Sequence, residues 1–332
     1  MGYISFKEFI LMTKLLQYIL SLNCAPTKYG KAPHKPVLLL AVIESFENGE
    51  ILENWIPVTD GLLERFYDFW NLLVKTQNVP NFSLPFFHLK NEKGKFWHLI
   101  PFPGKEIPTT KSNSIKSFRA LTDTVLAAKL SDELFLAFSD PVQREVIKTA
   151  ILEKYFGVSN QVQDKGKIRY SETLKEDILY DPEENYSRKV IKIVSELPVE
   201  AREEFMILRS SIFRKAILEV YNNQCSVSGL KVEDANRNSL VDACHIMPFS
   251  ETYNDSIKNG LALSPTFHRA FDRGLIAISD KYKVLVHPKL KDFNPESGIR
   301  QFENQQIYLP PNEKFYPSVY SLHEHRKKFG FN

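Results

Sequence analysis

The chain is poor in cysteine: Cys24, Cys225 and Cys244 are the only three in 332 residues. The number is odd and no Cys-x-x-Cys occurs. That excludes a disulfide framework and a four-cysteine zinc site, so no structural zinc is expected, and it predicts a reduced, cytoplasmic protein. Long apolar runs are missing too. The longest, Val37–Ile43, has seven residues, against about 18 for a membrane-spanning helix. Met1–Glu8 shows no basic segment leading into an apolar stretch, so no secretory signal is expected. Phe6 stands where the myristoylation pattern needs Ser or Thr. There is no internal repeat and no low-complexity block. Nor is charge of one sign in excess, with 43 Lys+Arg against 40 Asp+Glu. That balance removes the simplest electrostatic mark of a nucleic-acid-binding chain, but it leaves room for basic and acidic regions that cancel.

What is present is an ordinary globular composition, 43% hydrophobic and 25% charged, and enough length for two domains. Periodicity predicts helices over Phe6–Leu22 with Ser5 as N-cap, over Pro36–Asn48 stopping at Gly49, and over Asp60–Val74. Leu84–Lys90 and Lys95–Ile100 read as two strands joined by a turn at Asn91-Glu92-Lys93-Gly94. Further helices start at Ser131 and at Asp140-Pro141, the second closing at Gly157. Residues 157–205 hold eight Lys+Arg and eleven Asp+Glu without a long apolar stripe, and read as an acidic linker. Beyond it, a helix over Ile207–Tyr221 precedes strands at Ser239–Met247 and Asn259–Leu263, a helix at Pro265–Asp272, and strands at Leu275–Ser279 and Val284–His287. The expected class is α+β: a mostly helical N-terminal domain with a small sheet (1–156), a linker (157–205) and a C-terminal α+β domain (206–332).

The chemistry concentrates in Val241-Asp242-Ala243-Cys244-His245-Ile246-Met247-Pro248, then Asn259-Gly260-Leu261-Ala262-Leu263, then His268-Arg269-Ala270-Phe271-Asp272-Arg273-Gly274. A His ends one strand, an Asn-Gly opens the next, and His268 and Asp272 share a helix face at i and i+4. That pair offers a nitrogen and an oxygen to one divalent ion. Strand, strand and helix carrying His, Asn and His in this order resemble the HNH nuclease, or ββα-metal, fold. The match is to the subfamily with the usual pattern AAHI-P … NGL-L---H-AFD-GL. Phe213-Arg214, Tyr221 and Cys225–Gly229 before it, and Leu322, His325-Arg326 and Phe329 after it, fit the same subfamily, over about residues 205–330.

The resemblance implies metal-assisted hydrolysis of a DNA phosphodiester. His245 would be the general base, Asn259 the residue that fixes the loop and the orientation of His245, and His268 a metal ligand. The ion would be Mg²⁺ or Mn²⁺. Many such sites have Asp or His before the base, where this chain has Cys244. The second ligand is therefore open between Asp272, Asp242 and Cys244, with the soft thiolate ranked last. Cys225 and Ser228 stand where some relatives carry the Cys-x-x-Cys of a structural zinc. His287, His323 and His325 are assigned structural roles, and Phe267 and Phe271 to the core.

A second series lies upstream: Lys31-Ala32-Pro33-His34-Lys35-Pro36, Leu84-Pro85-Phe86-Phe87-His88-Leu89, Gly94-Lys95-Phe96-Trp97-His98-Leu99, and Ser131–Phe135 with Asp140-Pro141. Over about residues 10–156 it resembles the sulfur-binding domain of phosphorothioation-dependent restriction endonucleases. The resemblance implies DNA contact by His34, Lys35, Pro85 and His88, with Pro85 as an apolar wall for sulfur. Residues 81–120 hold seven Lys+Arg and two Asp+Glu, a balance that suits phosphate contact. Two departures stand out. The family favours Arg where this chain has Lys35, and His88 stands where a small residue would leave more room for sulfur. The blander alternative makes Pro85-Phe86-Phe87 a sheet core and His34-Lys35 a solvated helix start.

The expected function is thus a type IV-like restriction endonuclease acting on double-stranded, backbone-modified DNA. Alternatives are an HNH endonuclease specific for 5-methyl- or hydroxymethylcytosine or for plain sequence, and a DNA-binding protein with an inactive nuclease site. A homodimer is attractive, since a double-strand break needs two active sites or two sequential nicks.

Overall fold

The computed structural model describes residues 6–108, 115–158, 169–235, 238–294 and 296–331, with side chains from Ile10 onward. The expected N-cap Ser5 lies outside them. The chain divides into two compact units: residues 1–171 with 197–208, and residues 172–196 with 209–332.

The first unit begins with α1 (Phe6–Ile19), a small β1–β2 ribbon (Pro26–Thr27, Gly30–Lys31) and α2 (His34–Glu47). Every residue of α2 from Pro36 to Phe46 is buried. A helix apolar on all sides belongs at the centre of a core, so the longest apolar run of the sequence is the core helix of this unit. Next come β3 (Ile56–Pro57), α3 (Asp60–Leu73, N-capped by Thr59), α4 (Ser83–His88), β4 (Trp97–Pro101), α5 (Phe118–Thr124), β5 (Val125–Leu130), α6 (Asp132–Ser139) and α7 (Pro141–Phe156). The sheet is antiparallel in the order β3-β5-β4. Ser131 and Asp140 cap α6 and α7 with their side chains, and Gly157 ends α7 in the left-handed region.

The expected hairpin over Leu84–Ile100 is not formed. Residues 83–88 are helical, and β4 pairs with β5 instead. Short apolar runs do not distinguish strand from buried helix; tertiary partners decide here. The Asn81 side chain accepts from Leu84 N at 2.8 Å, and the fully buried Glu204 accepts from Phe82 N, Ser83 N and the Ser83 hydroxyl. These acceptors satisfy the free N–H groups of a helix start. The Trp97 indole donates to Phe86 O at 2.9 Å, and Phe82 and Phe86 pack against Phe66, Phe118 and Trp97.

Residues 170–205, expected as a linker, are mostly helical: α8 (Tyr170–Tyr180), α9 (Glu183–Glu196) and the start of α10 (Val199–Val220). They divide between the two units rather than standing outside them. Their apolar positions are few but anchored. Leu174, Ile178, Tyr186 and Val190 are buried, although the stretch is acidic overall.

The second unit holds β6 (Asp242–His245), α11 (Phe249–Thr252), β7 (Gly260–Leu263), α12 (Pro265–Asp272), β8 (Ile276–Ile278), β9 (Val284–Val286) and α13 (Val319–Phe329), together with residues 209–220 of α10. β6 and β7 are antiparallel, with His245 opposite Gly260, and α12 follows directly. β8 pairs with β9. The fold class is α+β, with the two-strands-then-helix unit at 242–272. Gly260 has a packing reason. A Cβ there would lie 2.1 Å from Ile217 Cδ1 and 3.0 Å from Phe213 Cζ, so only glycine lets α10 pack onto β7.

Candidate active site

β6 alternates its side chains across the ribbon. Asp242 and Cys244 therefore share one face, and His245 takes the other. His245 is partly buried. Its Nε2–H donates to Asp255 Oδ1 at 2.6 Å, and its ring stacks on Phe213 with centroids 4.1 Å apart and planes 9° from parallel. Asp255 is fully buried and forms an ion pair with the buried Arg209. The Tyr186 hydroxyl donates to its other oxygen at 3.4 Å. Because Nε2 carries the proton that Asp255 holds, Nδ1 keeps its lone pair. Burial, the Arg209 cation and the neighbouring His268 lower the His245 pKa to about 4. The adjacent carboxylate would raise it, but Arg209 already compensates that charge. His245 is neutral at pH 7.

Asn259 is fully buried and makes its bonds to the backbone. Its Oδ1 accepts from Met247 N, and its Nδ2 donates to Met247 O and Asn254 O, all at 2.9 Å. It clamps the chain two residues beyond His245 to the loop that carries Asp255. These bonds to the backbone suit a positioning role.

His268 sits between two carboxylates. Its Nε2 is 3.4 Å from Asp272 Oδ2, one helical turn on, and its Nδ1 is 3.5 Å from Asp242 Oδ2. Arg214 holds the other Asp242 oxygen at 3.0 Å. Cys244, His268 and Asp272 each offer one ligand atom within 4.8 Å of the others, a group that could hold a metal ion. The donor chemistry favours the imidazole and the carboxylate. Burial first, then the Asp272 carboxylate, pushes the Cys244 thiol pKa well up, so the sulfur stays protonated. An Nε2–Oδ2 separation of 3.4 Å suits two donors that each approach one ion to about 2.1 Å. Asp242, on the opposite ring nitrogen, stands where an outer carboxylate would orient a ligating histidine. His245, His268 and Asp272 line one cavity of about 370 Å³. His325 forms part of its wall, stacked on Phe271 at 3.7 Å and donating from Nε2 to Phe271 O.

Sequence reasoning missed Arg209, Phe213 as a stacking partner, and Asp255. The first two lie on one face of α10 at i and i+4, so the helix that leads into the motif also buttresses it. Asp255 lies in the irregular segment between β6 and β7, where no periodicity singles it out.

In the first unit, the expected DNA-contact residues have internal partners. The His34 ring meets Val79 O at 2.9 Å and packs on Trp70; burial lowers its pKa. Lys35 forms an ion pair with the buried Glu92 and donates to Asn23 O at 2.8 Å. Pro85 is buried in α4. His88 is half-buried, and its pKa is lowered by burial and then by Lys35 and Lys90 beside it. A separate hollow of about 710 Å³ is lined by Pro33, Tyr29, Tyr155 and three exposed lysines, Lys31, Lys75 and Lys154.

Solved structures to which the chain is similar include two restriction endonucleases. A modification-dependent TagI restriction endonuclease has 21% identity and a TM-score of 0.30, covering 36% of this chain and 38% of its own. The chain thus spans less than two fifths of that protein's length. A type IV phosphorothioation-dependent restriction endonuclease, ScoMcrA, has 11% identity and a TM-score of 0.34, covering 77% of this chain and 93% of its own. No curated protein matches. The HNH endonuclease family matches residues 225–279, which contain His245, Asn259, His268 and Asp272. Residues 225–279 are an HNH endonuclease domain.

Proposed function

We propose that the chain is a metal-dependent, modification-dependent restriction endonuclease of the type IV kind, acting on double-stranded DNA in the cytoplasm. The observation that carries the nuclease part is that the buried Asp255 carboxylate engages His245 Nε2, while His245, His268 and Asp272 line one cavity. Nδ1 takes a proton from water as its oxygen attacks phosphorus, and the bond to the leaving 3′ oxygen breaks. The imidazolium that forms is stabilised by Asp255. Asn259 keeps the strand end in place. His268 and Asp272 would hold a divalent ion, Mg²⁺ or Mn²⁺, whose chemistry is to stabilise charge on the phosphate and leaving oxygens. Asp242 orients His268, and Arg214 orients Asp242.

The first unit is the proposed reader of modified DNA, with His34, Lys35, Pro85 and His88 as its contact set and a phosphorothioate as its target. Support comes from the motif series over residues 10–156 and from the cationic hollow beside Pro33. A second reading has a specific observation in its favour. Glu92 compensates the charge of Lys35, and a half-buried His88 stands where a small residue would leave more room for sulfur. These favour an HNH endonuclease directed at another modification. Plasmids with and without phosphorothioate separate the two, with His245→Ala as control. Cleavage restricted to the modified plasmid supports the first reading. Equal cleavage of both removes sulfur specificity, and no cleavage with Mg²⁺ or Mn²⁺ removes the nuclease reading.

A further inference from the structure

One basic surface of the second unit takes no part in the site described above. A hollow of about 770 Å³ lies between the β8–β9 turn and α13. Its charged lining is Lys281, Lys283, Lys327, His323, Arg326 and a single acid, Asp280. Asp280 is already paired with Arg326, which also donates to Ile278 O at 2.7 Å, so both are committed to the fold. Lys327 lies 3.9 Å from Glu324 and is mostly exposed, a contact worth little in water. The ammonium groups of Lys281 and Lys283 have no ion-pair partner among the described residues, and both are exposed. The turn that presents them is held in place: the Tyr282 hydroxyl donates to Pro317 O at 3.1 Å, and Lys283 N donates to the Ser279 hydroxyl at 3.0 Å.

The position of this hollow gives it meaning. α13 is a wall shared with the active-site cavity. His325, Lys328 and Phe329 line the catalytic side, whereas His323, Arg326 and Lys327 line the basic side. At about 100° per residue these two sets fall on opposite flanks of the helix. A helix with its side chains is about 10–12 Å across, close to the roughly 12 Å width of a DNA major groove. A duplex laid over α13 can therefore place one stretch of backbone at His245 and another among the lysines.

We propose that the Lys281–Lys283–Lys327 hollow is a second phosphodiester-backbone site of the nuclease unit, gripping the same duplex whose phosphate enters the His245 cavity. The proposal rests on the nuclease reading for the shared duplex, but its test has its own readout. Each lysine supplies a compact positive charge without base specificity. Binding of a plain duplex by the full chain bearing His245→Ala is measured across a salt series. Each phosphate contact contributes about 0.9 to the slope of log affinity against log salt. Adding Lys281→Gln and Lys283→Gln should flatten that slope by about 2, and Lys281→Arg with Lys283→Arg should restore it. In the cleaving protein the Gln pair should raise KM and leave kcat unchanged. An unaltered slope overturns the proposal, whether or not the protein cleaves. A flattened slope in a chain that fails to cleave with Mg²⁺ or Mn²⁺ supports the backbone site and removes the nuclease reading alone.

Discussion

Asp255→Asn tests the tautomer argument at its source. In the native chain the carboxylate accepts from His245 Nε2 at 2.6 Å and pairs with Arg209, itself almost wholly buried. An amide keeps the size but changes two things. First, it leaves Arg209 with no anionic partner. Removing one member of a buried pair costs about 3–5 kcal/mol, which for a unit of this size is a Tm fall of about 6–20 °C. Second, an amide can turn its NH₂ toward His245, and Nε2 then becomes an acceptor. The ring proton moves to Nδ1, and the lone pair that takes the water proton is lost. General-base assistance contributes about 10²–10⁴ in rate, so kcat for plasmid nicking should fall by that factor. The two effects separate in the double variant Arg209→Met/Asp255→Asn. Removing the unpaired cation should recover most of the stability without recovering the rate, and ¹⁵N shifts of the His245 ring should report the Nδ1–H form. If kcat returns together with Tm, Asp255 is only an anchor for Arg209 and the tautomer argument is wrong.

Stability should also carry an acid signature. His325 has its pKa lowered to about 4, by burial first, so between about pH 6.5 and 4 the unfolded chain binds a proton that the folded chain refuses. Stability is then full above pH 6.5 and falls by about 3 kcal/mol as pH drops through that window; His325→Gln should flatten the fall, measured by urea unfolding. The same lowering at His245 places the acid limb of kcat/KM near pH 4 rather than 6.5, and a limb at 6.5 would contradict the burial argument. Gly260→Ala drives a methyl group into Ile217 and Phe213. Overpacking costs about 1–3 kcal/mol, and displacing Phe213 from His245 should lower kcat by up to about 10²-fold; Ile217→Val should restore part of it. Cys244→Ser should leave the Mg²⁺ concentration dependence within about threefold of the parent, whereas Asp272→Ala should shift it by more than tenfold, a tenfold shift being about 1.4 kcal/mol of ion affinity. The opposite order would make the thiol the ligand.

Most of the second unit was legible because its signals are local. Pro265–Asp272 is helical as the Pro start and i, i+4 spacing require, and β6, β7, β8 and β9 lie inside the runs read as strands. In the first unit α3, α6 and α7 were legible for the same reason, each having a side-chain cap that the sequence displays. Leu84–Lys90 was not legible. Its start is capped by Glu204, more than a hundred residues away, and no local pattern contains that information. The helices over 170–205 were hidden by composition: charge dominates, while a few buried positions do the packing. The site divides in the same way. His245, Asn259, His268 and Asp272 stand in a recognisable order, but Asp255, Arg209 and Phe213 act only through the fold.

The charged residues of the chain fall into two groups that sequence counting cannot separate. Lys35, Arg209, Arg214 and Arg326 are all paired with acids of their own unit, Glu92, Asp255, Asp242 and Asp280. Such a cation contributes orientation, not net potential, because a phosphate would have to displace a carboxylate that is already bound. Lys31, Lys75 and Lys154 in the first unit, and Lys281 and Lys283 in the second, are exposed around hollows whose lining is otherwise largely uncharged or already paired. These are the cations that counterion release can act on. A near-neutral chain can therefore grip DNA at defined places. Glu92, Asp255, Asp242 and Asp280 hold four of its cations in place, and Lys31, Lys75, Lys154, Lys281 and Lys283 line hollows.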